Sequence, residues 1–416
     1  MTYLLVNHVA LGRAGSPGRF RVGDLWLQDL SAQARALGAA GLRLVVATPC
    51  VAAEQPLAAS GSFNTIEIDP REHGFEYVPL PRYLSMSQYL RVGKAMREKL
   101  RESIERADIV QMGYGGHPVA LGQVAWPIAG ALHKKRIWVF DGADPFPRLQ
   151  LDADKTRNPL KRAVKRRRVR AFERFCAGVV READLVFAHN ASVVQRFASS
   201  WGAHCHAFDR SFVTDEVLID PEHLARRQGR LLETDRPLRL VVAGRQIYIK
   251  GTDQVIRAVA KARRLSVPVE LDVLGDGEDL EAFKRLAVEE RVEGAVRFLG
   301  TVPYGTELFD AWERCDVMVV ANLTAEISRN VLLACARGLP LVTYTNLGTD
   351  QMLSDADAAV LVARGDVDRL AEAFIQAHRD RARLARLAMN GWRLARAKNL
   401  DETHRRRAEL AAALLR

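Results

Sequence analysis

Short apolar runs alternate with amphipathic stretches along most of the chain, and this alternation is the feature that most restricts its fold. The apolar runs have the length and the β-branched composition of strands, whereas the stretches between them have helical periodicity. A strand, a helix and another strand in succession form a βαβ unit, which requires a parallel sheet. The predicted strands are residues 3–6, 42–47, 109–112, 137–140 and 185–188, then 238–243, 270–274, 296–299, 317–320, 341–343 and 359–361.

A polar stretch without a core pattern separates the two groups of strands. The sequence therefore predicts an α/β protein with two Rossmann-like, doubly wound parallel-sheet domains and a ligand-binding cleft between them. The main predicted helices are residues 25–37, 86–104, 252–265, 280–289, 306–314, 328–337 and 366–377. The predicted boundaries are 1–208 for the first domain, 209–237 for a linker region, 238–390 for the second domain and 391–416 for a C-terminal segment.

Composition excludes several classes of protein. The 416 residues are 48% hydrophobic and 27% charged, which is typical of a globular protein and excludes global disorder. No apolar run approaches the roughly 18 residues of a membrane span. Five scattered cysteines without a CxxC pair argue against a disulfide framework and a zinc site. The first residues are typical of a strand rather than a signal peptide, so we expect a cytoplasmic protein. The net charge of +11 favours an anionic partner.

One basic segment runs from Lys155 to Arg174, with the sequence KTRNPLKRAVKRRRVRAFER. Its apolar residues share one helical face, which is interrupted at Arg167 and Arg168. A basic amphipathic helix is typical of an element that docks on an anionic membrane surface or on a lipid diphosphate. A solvated helix face is the main alternative. No aromatic residues interleave with the charges on a strand, so we expect no nucleic-acid partner.

Two cations follow the first strand of the second predicted domain, within LRLVVAGRQIYIKGTD at residues 238–253. Arg245 comes directly after the strand and its glycine, and Lys250 follows five residues later, where the next helix opens. Ligands of parallel sheets bind at the carboxyl ends of the strands. Two cations converging there suit a diphosphate, since each neutralises one negative charge. An ordinary loop with two exposed basic residues is the alternative.

A second segment, VVANLTAEISRNVLLACARGLP at residues 319–340, combines a strand end, a loop with Glu326 and a helix from about Ser328. The first backbone N–H groups of a helix lack internal partners and therefore attract anions. Glu326 can accept hydrogen bonds from sugar hydroxyls; alternatively it is a carboxylate stabilised by the helix dipole. Between the two segments, GDG at residues 275–277 indicates a tight turn.

The segments at residues 238–253, 275–277 and 319–340, in this order along the chain, resemble the GT-B glycosyltransferases of the glycogen-synthase-like family 4. The likeness covers residues 238–361 and includes G-R-x4-K-G, GDG, FLGTVP, ERCDVMVV and E-x3-NVLL. The resemblance implies a GT-B fold whose last helix crosses back onto the first domain. It also implies transfer, with retention, of a sugar from a nucleotide-diphosphate sugar to a glycan or lipid-linked glycan, in cell-surface polysaccharide or glycoconjugate biosynthesis. A non-catalytic GT-B-fold binding protein and a sugar-nucleotide epimerase are the alternatives.

The resemblance also assigns donor-binding residues. Arg245 and Lys250 match positions that hold the donor diphosphate, Val302 lies in the loop beside the base, and Glu326 matches a residue near the transferred sugar. The family's second glutamate is replaced by Ala334, which puts ribose recognition in doubt. The remaining assigned positions are the backbone N–H groups at Asn330, Val331 and Leu332 and, in a loosely matching glycine-rich loop of the first domain, Gly23.

Two residues of the first domain are catalytic candidates. Asp141 follows the strand at 137–140, in the place where many family members have a histidine beside the sugar. His117, in GYGGHP, follows the preceding strand; a structural histidine is the alternative there.

No Asp-x-Asp triplet clearly follows a strand, so we expect a metal-free site without a cofactor. If the basic helix docks as predicted, the protein is peripheral at the inner face of the membrane.

Overall fold

The computed structural model describes residues 1–55, 57, 65–115, 119–141, 145–154, 156–189, 191–208, 211–324, 328–346 and 348–416. The chain divides into two compact units. Unit 1 comprises Met1–Arg210 and Asp401–Arg416, and unit 2 comprises Ser211–Leu400. Each unit is an α/β layer structure with its own sheet and helices, as the alternating sequence pattern predicts.

Unit 1 is built on a largely parallel sheet. Its strands are β1 Thr2–Val6, β2 Leu11–Arg13, β3 Phe20–Gly23, β4 Arg43–Val51, β5 Thr65–Ile68, β6 Phe75–Leu80, β7 Ile109–Gly113, β8 Lys135–Phe140, β9 Leu185–Ala188 and β10 Cys205–Ala207. Its helices before residue 208 are α1 Asp24–Ala39, α2 Met86–Glu105, α3 Leu121–Ala131, α4 Pro145–Asp154, α5 Pro159–Glu182 and α6 Ala191–Arg196.

The parallel strands of unit 1 follow the order β10-β9-β8-β7-β1-β4-β6. The order reverses between β1 and β7, which makes this pair the switch point of the sheet, where doubly wound sheets bind their ligands. Beyond β4, the short strands β2, β3 and β5 extend one end of the sheet, and the β2–β3 and β3–β5 pairs are antiparallel.

Unit 2 contains a fully parallel sheet in the order β13-β12-β11-β14-β15-β16. Its switch point lies between β11 and β14. The strands are β11 Leu238–Ala243, β12 Val269–Leu274, β13 Val296–Gly300, β14 Val317–Val320, β15 Leu341–Tyr344 and β16 Ala359–Val362. The helices of unit 2 are α7 Pro221–Leu231, α8 Thr252–Arg264, α9 Leu280–Glu289, α10 Thr306–Glu313, α11 Asn330–Ala336, α12 Asp350–Asp355, α13 Val367–Arg379 and α14 Arg381–Ala397. The last helix of the chain, α15 Leu400–Ala413, groups with unit 1 from Asp401 onward.

Both faces of each sheet are buried, which explains why the central strands are apolar throughout. In β11, Leu240 and Val242 belong to one core, whereas Val241 belongs to the other. In β1, Leu4 and Leu5 likewise face opposite cores of unit 1. The predicted strands of the second half agree closely with β11 to β16.

The predicted linker at 209–237 is wrong, because residues from 211 onward belong to unit 2. Phe212, Val213 and Val217 are buried there in irregular backbone, and the helix α7 follows them. Arg227 on α7 is also buried, donates to the carbonyls of Gly338 and Cys315, and pairs with Glu313. Irregular backbone has no apolar periodicity, so the sequence pattern did not reveal this packing.

The C-terminal boundary also differs from the prediction at residue 391. Helix α14 stays in unit 2, and only Asp401–Arg416 group with unit 1. There Ala408, Ala411 and Ala412 of α15 belong to the same core as Leu30 of α1. Arg407 donates to Gln111 at 3.1 Å. The last helix is therefore an integral part of unit 1.

Candidate functional site

The two predicted phosphate-binding cations lie at the switch point of unit 2. Arg245 is the second residue after β11, and its side chain is exposed. Within the described ranges its guanidinium has no hydrogen bond or ion pair. Lys250 is half-buried and ends the short 3₁₀ helix Tyr248–Lys250, directly before α8. An exposed, uncommitted guanidinium at this edge is available to an anionic ligand.

Gln246 holds this loop in place. It occupies a variable position of the G-R-x4-K-G motif, so the sequence did not indicate it as a site residue. Its side chain is 1% exposed, and its amide nitrogen donates to the carbonyls of Gly244 and Leu274, each at 2.9 Å. The Thr252 hydroxyl donates to its amide oxygen at 2.8 Å. This one side chain therefore joins the end of β11, the end of β12 and the start of α8.

The loop after β11 packs directly on the loop after β14, across the switch point. Gly251 has a φ of 72°, and a Cβ there would lie 2.0 Å from the Ala321 carbonyl oxygen. The Leu323 N–H donates to the Ile249 carbonyl at 2.8 Å. Only glycine satisfies both the left-handed backbone and the close approach, so Gly251 fixes Lys250 against the second loop.

Asn330 links the start of the helix α11 to the same edge of the sheet. Its side-chain amide donates to the carbonyl of Ala243, the last residue of β11, at 2.7 Å. The helix that it begins, α11, has seven residues, and the side chains of Val331 and Leu332 are buried in the core beneath it. Their side chains face away from solvent, which leaves only backbone groups for the predicted ligand contact, and the Val331 N–H already donates to the Ser328 carbonyl at 3.3 Å.

Two further predictions concern the surroundings of this edge. Val302 is half-buried in the loop after β13 and packs against a core of unit 2. Ala334 is fully buried, so the position of the family's second glutamate carries no polar group here. Glu326 lies outside the described residues. The structure thus brings Arg245, Lys250 and Asn330 together at the switch point of unit 2.

In unit 1 the structure places Asp141 directly after β8, with an exposed side chain. The Tyr114 hydroxyl donates to the Asp141 carbonyl at 2.6 Å. His8, which the sequence analysis did not single out, lies after β1 and is electrostatically coupled to Asp141. Burial lowers the pKa of the His8 imidazole below its usual range, while the Asp141 charge acts in the opposite direction. His117 lies outside the described residues.

Gly23 does not belong to an open glycine-rich loop. It ends β3, pairs with Thr65 of β5 and directly precedes α1. Gly12 likewise lies in β2, opposite Arg21. The expected glycine-rich donor-binding loop is therefore largely a β-hairpin, because apolar residues on both sides of the glycines allow strand pairing.

The basic segment forms the first half of α5, with Lys155 outside the described residues. Leu160 and Val164 are 78% and 51% exposed, and the first buried residue of the helix is Val169. Two of its cations pair with acidic residues of α4, since Lys165 lies 2.8 Å from Asp152 and Arg166 lies 2.7 Å from Asp154. The neighbouring residues Arg167, Arg168 and Arg170 are exposed.

No cluster of histidine, cysteine, aspartate and glutamate in the described part of the chain is suited to hold a metal ion. Across the same residues, no helix combines the length and the apolar character of a membrane span.

Residues 226–393 match the family described as “Glycosyl transferases group 1”. This range contains the loops after β11, β13 and β14 in which the cations and Asn330 lie. Residues 226–393 of the chain therefore resemble a group 1 glycosyltransferase domain. The resemblance noted in the sequence is confirmed at this level, and assignment to family 4 stays a prediction.

Two curated glycosyltransferases are similar to this chain. The GDP-mannose-dependent alpha-(1-6)-phosphatidylinositol monomannoside mannosyltransferase of Mycolicibacterium smegmatis is 29% identical over 219 residues, 50% of this chain and 57% of that protein. The chain thus spans little more than half the length of this relative. The D-inositol 3-phosphate glycosyltransferase of Stackebrandtia nassauensis is 27% identical over 85% of this chain and 79% of that protein.

The solved structures support the fold. The structure of Anabaena HepE in complex with UDP has a TM-score of 0.67 and covers 99% of this chain and 100% of that chain, at 15% identity. The predicted GT-B fold, with two Rossmann-like parallel-sheet units, is therefore confirmed.

Proposed function

We propose that this protein transfers a sugar from a nucleotide-diphosphate sugar to a glycan or lipid-linked glycan acceptor. The observation that carries the proposal is the position of Arg245 and Lys250 at the switch point of unit 2, where the family match also lies. A relative whose name specifies GDP-mannose and a neighbour solved with UDP support a nucleotide-linked donor.

The proposed chemistry depends on stabilising the negative charge of the leaving group. When the bond between the sugar and the diphosphate breaks, negative charge develops on the leaving phosphate. Arg245 and Lys250 stabilise that charge, and fixed cations of this kind are most effective when they need no rearrangement during the reaction. The packing of Gln246 and Gly251 supplies this rigidity. Two side-chain cations do the work of a divalent ion, so the proposed site needs no metal. Retention of configuration belongs to the same proposal.

A calorimetric titration of the purified protein with UDP, GDP and ADP, first without and then with magnesium, tests this function. We expect one of the nucleotides to bind with the same affinity under both conditions. Binding that requires magnesium would refute the metal-free site. No binding of any nucleotide would contradict the donor site and favour a non-catalytic GT-B protein, consistent with the buried Ala334 at the ribose-binding position.

The acceptor proposal is supported by the two curated relatives, whose names specify phosphatidylinositol monomannoside and D-inositol 3-phosphate. We propose a phosphate-bearing or lipid-linked acceptor of the cell surface. A lipid-linked acceptor lies at a membrane, which fits the exposed cations and apolar residues at the start of α5. The protein then acts in the cytoplasm, peripherally at the inner face of the membrane.

Liposome binding tests the membrane proposal. We expect the protein to sediment with vesicles of anionic phospholipid at low salt and to dissociate as the salt concentration rises. Replacing Arg167, Arg168 and Arg170 with alanine should weaken this binding by about 1 kcal/mol for each charge. The control variant carries alanine at Arg383, Arg386 and Arg393 of α14, which removes the same net charge elsewhere. Equal loss in both variants would show a nonspecific charge effect and refute docking through α5.

A further inference from the structure

The switch point of unit 1 carries a histidine that the proposed function does not yet use. The strand order reverses between β1 and β7, and β8 is the next neighbour of β7. His8 lies two residues after β1, Gly115 two residues after β7, and Asp141 directly after β8. Because the three strands are parallel and adjacent, these residues emerge at the same edge of the sheet.

His8 is held at this edge by local packing. The Asn7 side-chain oxygen accepts from the His8 N–H at 2.6 Å and from the Val9 N–H at 3.2 Å, which fixes the turn after β1. The imidazole lies over Gly115, where a Cβ would be 2.0 Å from Nδ1 and Cε1 of the ring. Any larger residue at position 115 would displace the ring, so the glycine leaves the space that His8 occupies.

Asp141 completes the arrangement across the end of β7. Its backbone is held by the hydrogen bond from Tyr114, whose ring packs against Phe140. The carboxylate and the imidazole are close enough to interact electrostatically, and both side chains keep an exposed part. Burial nevertheless keeps the pKa of His8 below its usual range, so the neutral ring predominates near pH 7.

We propose that His8 and Asp141 form a hydroxyl-binding pair for a sugar at the switch point of unit 1. A sugar hydroxyl is both a hydrogen-bond donor and an acceptor. A neutral imidazole offers one donor and one acceptor, and a carboxylate offers acceptors only, so the pair can satisfy one or two hydroxyls at once. The inference rests on the proposed glycosyltransferase function. The hydroxyl belongs either to the sugar of the donor or to the acceptor, and the experiment separates these sources.

The experiment compares wild type, His8→Ala and His8→Asn. Calorimetry measures the affinities for UDP and UDP-glucose and for GDP and GDP-mannose, and a coupled assay measures transfer to D-inositol 3-phosphate and hydrolysis of the nucleotide sugar by water. If the hydroxyl is the donor's, His8→Ala reduces nucleotide-sugar affinity and hydrolysis about tenfold but leaves nucleotide affinity unchanged. If it is the acceptor's, only the KM for D-inositol 3-phosphate rises. In both cases His8→Asn, which retains a donor and an acceptor, restores part of the loss.

His133→Asn is the matched control for the same chemical change. His133 is exposed and precedes β8, so it lies at the opposite edge of the same sheet, and its φ of 52° tolerates asparagine. Wild-type behaviour of His8→Ala in every assay would overturn the inference while leaving the donor site intact. A wild-type protein that binds no nucleotide or nucleotide sugar would instead refute the proposed function, and the inference would fall with it.

Discussion

The two units have switch points of the same topology but of different chemistry. In both sheets the order reverses beside the first strand of the unit, and a candidate functional side chain follows two residues after that strand. In unit 2 this residue is Arg245, joined by Lys250, whereas in unit 1 it is His8, beside Asp141. The fold places both candidate sites at a switch point, and we propose that their loop residues suit one to a phosphate and the other to a hydroxyl.

The two switch points also differ in the hydrogen bonds and contacts that hold their loops in place. In unit 2, Gln246 and the Leu323–Ile249 hydrogen bond join three strand ends around Lys250. In unit 1, His8 is held by Asn7 and by its contact with Gly115. A site for a charged leaving group benefits from the more rigid arrangement, because fixed charges stabilise a developing charge most efficiently.

The largest expected effect comes from breaking the packing at the switch point of unit 2. We expect Gly251→Ala to lower the free energy of unfolding by about 2–4 kcal/mol, since it adds a clash to the cost of a left-handed backbone. Nucleotide affinity should fall by more than about tenfold, because Lys250 is displaced with the loop. Denaturant unfolding and calorimetry measure the two effects.

Gly365→Ala is the control for this change. Gly365 has a similar φ of 80°, but no atom lies within 4 Å of its Cβ position. We expect a loss of about 1–2 kcal/mol from the backbone alone and an unchanged nucleotide affinity. Equal effects of the two substitutions would mean that the close approach to Ala321 does not support the site.

Sequence reasoning predicted the parts of the fold that follow from periodicity. The strands of unit 2 and the position of the two cations after β11 were predicted closely, because a buried parallel strand followed by a charged loop leaves a clear local pattern. The donor-binding role of these cations stays a prediction. Asn330 was predicted from the family motif, but its bond to the Ala243 carbonyl joins distant parts of the chain.

The residues that the sequence did not reveal act through contacts that leave no local pattern. Gln246 is an ordinary polar residue in a loop, and only the structure shows that its amide joins two strand ends. His8 becomes notable because β7 and β8 bring Gly115 and Asp141 to the same edge. The burial of Phe212, Val213 and Val217 left no local pattern for the same reason, since irregular backbone has no period.

The proposed role of the two cations in binding a diphosphate is tested most directly by measuring nucleotide affinity in Arg245→Ala and Lys250→Ala. We expect each substitution to cost about 1.5–3 kcal/mol of binding free energy, the usual loss for a hydrogen bond to a charged group. Arg379→Ala, at the C-terminal end of α13 and away from the switch point, should bind like wild type. Unchanged affinity in both Arg245→Ala and Lys250→Ala, with wild type binding the nucleotide, would contradict the assignment of the donor site.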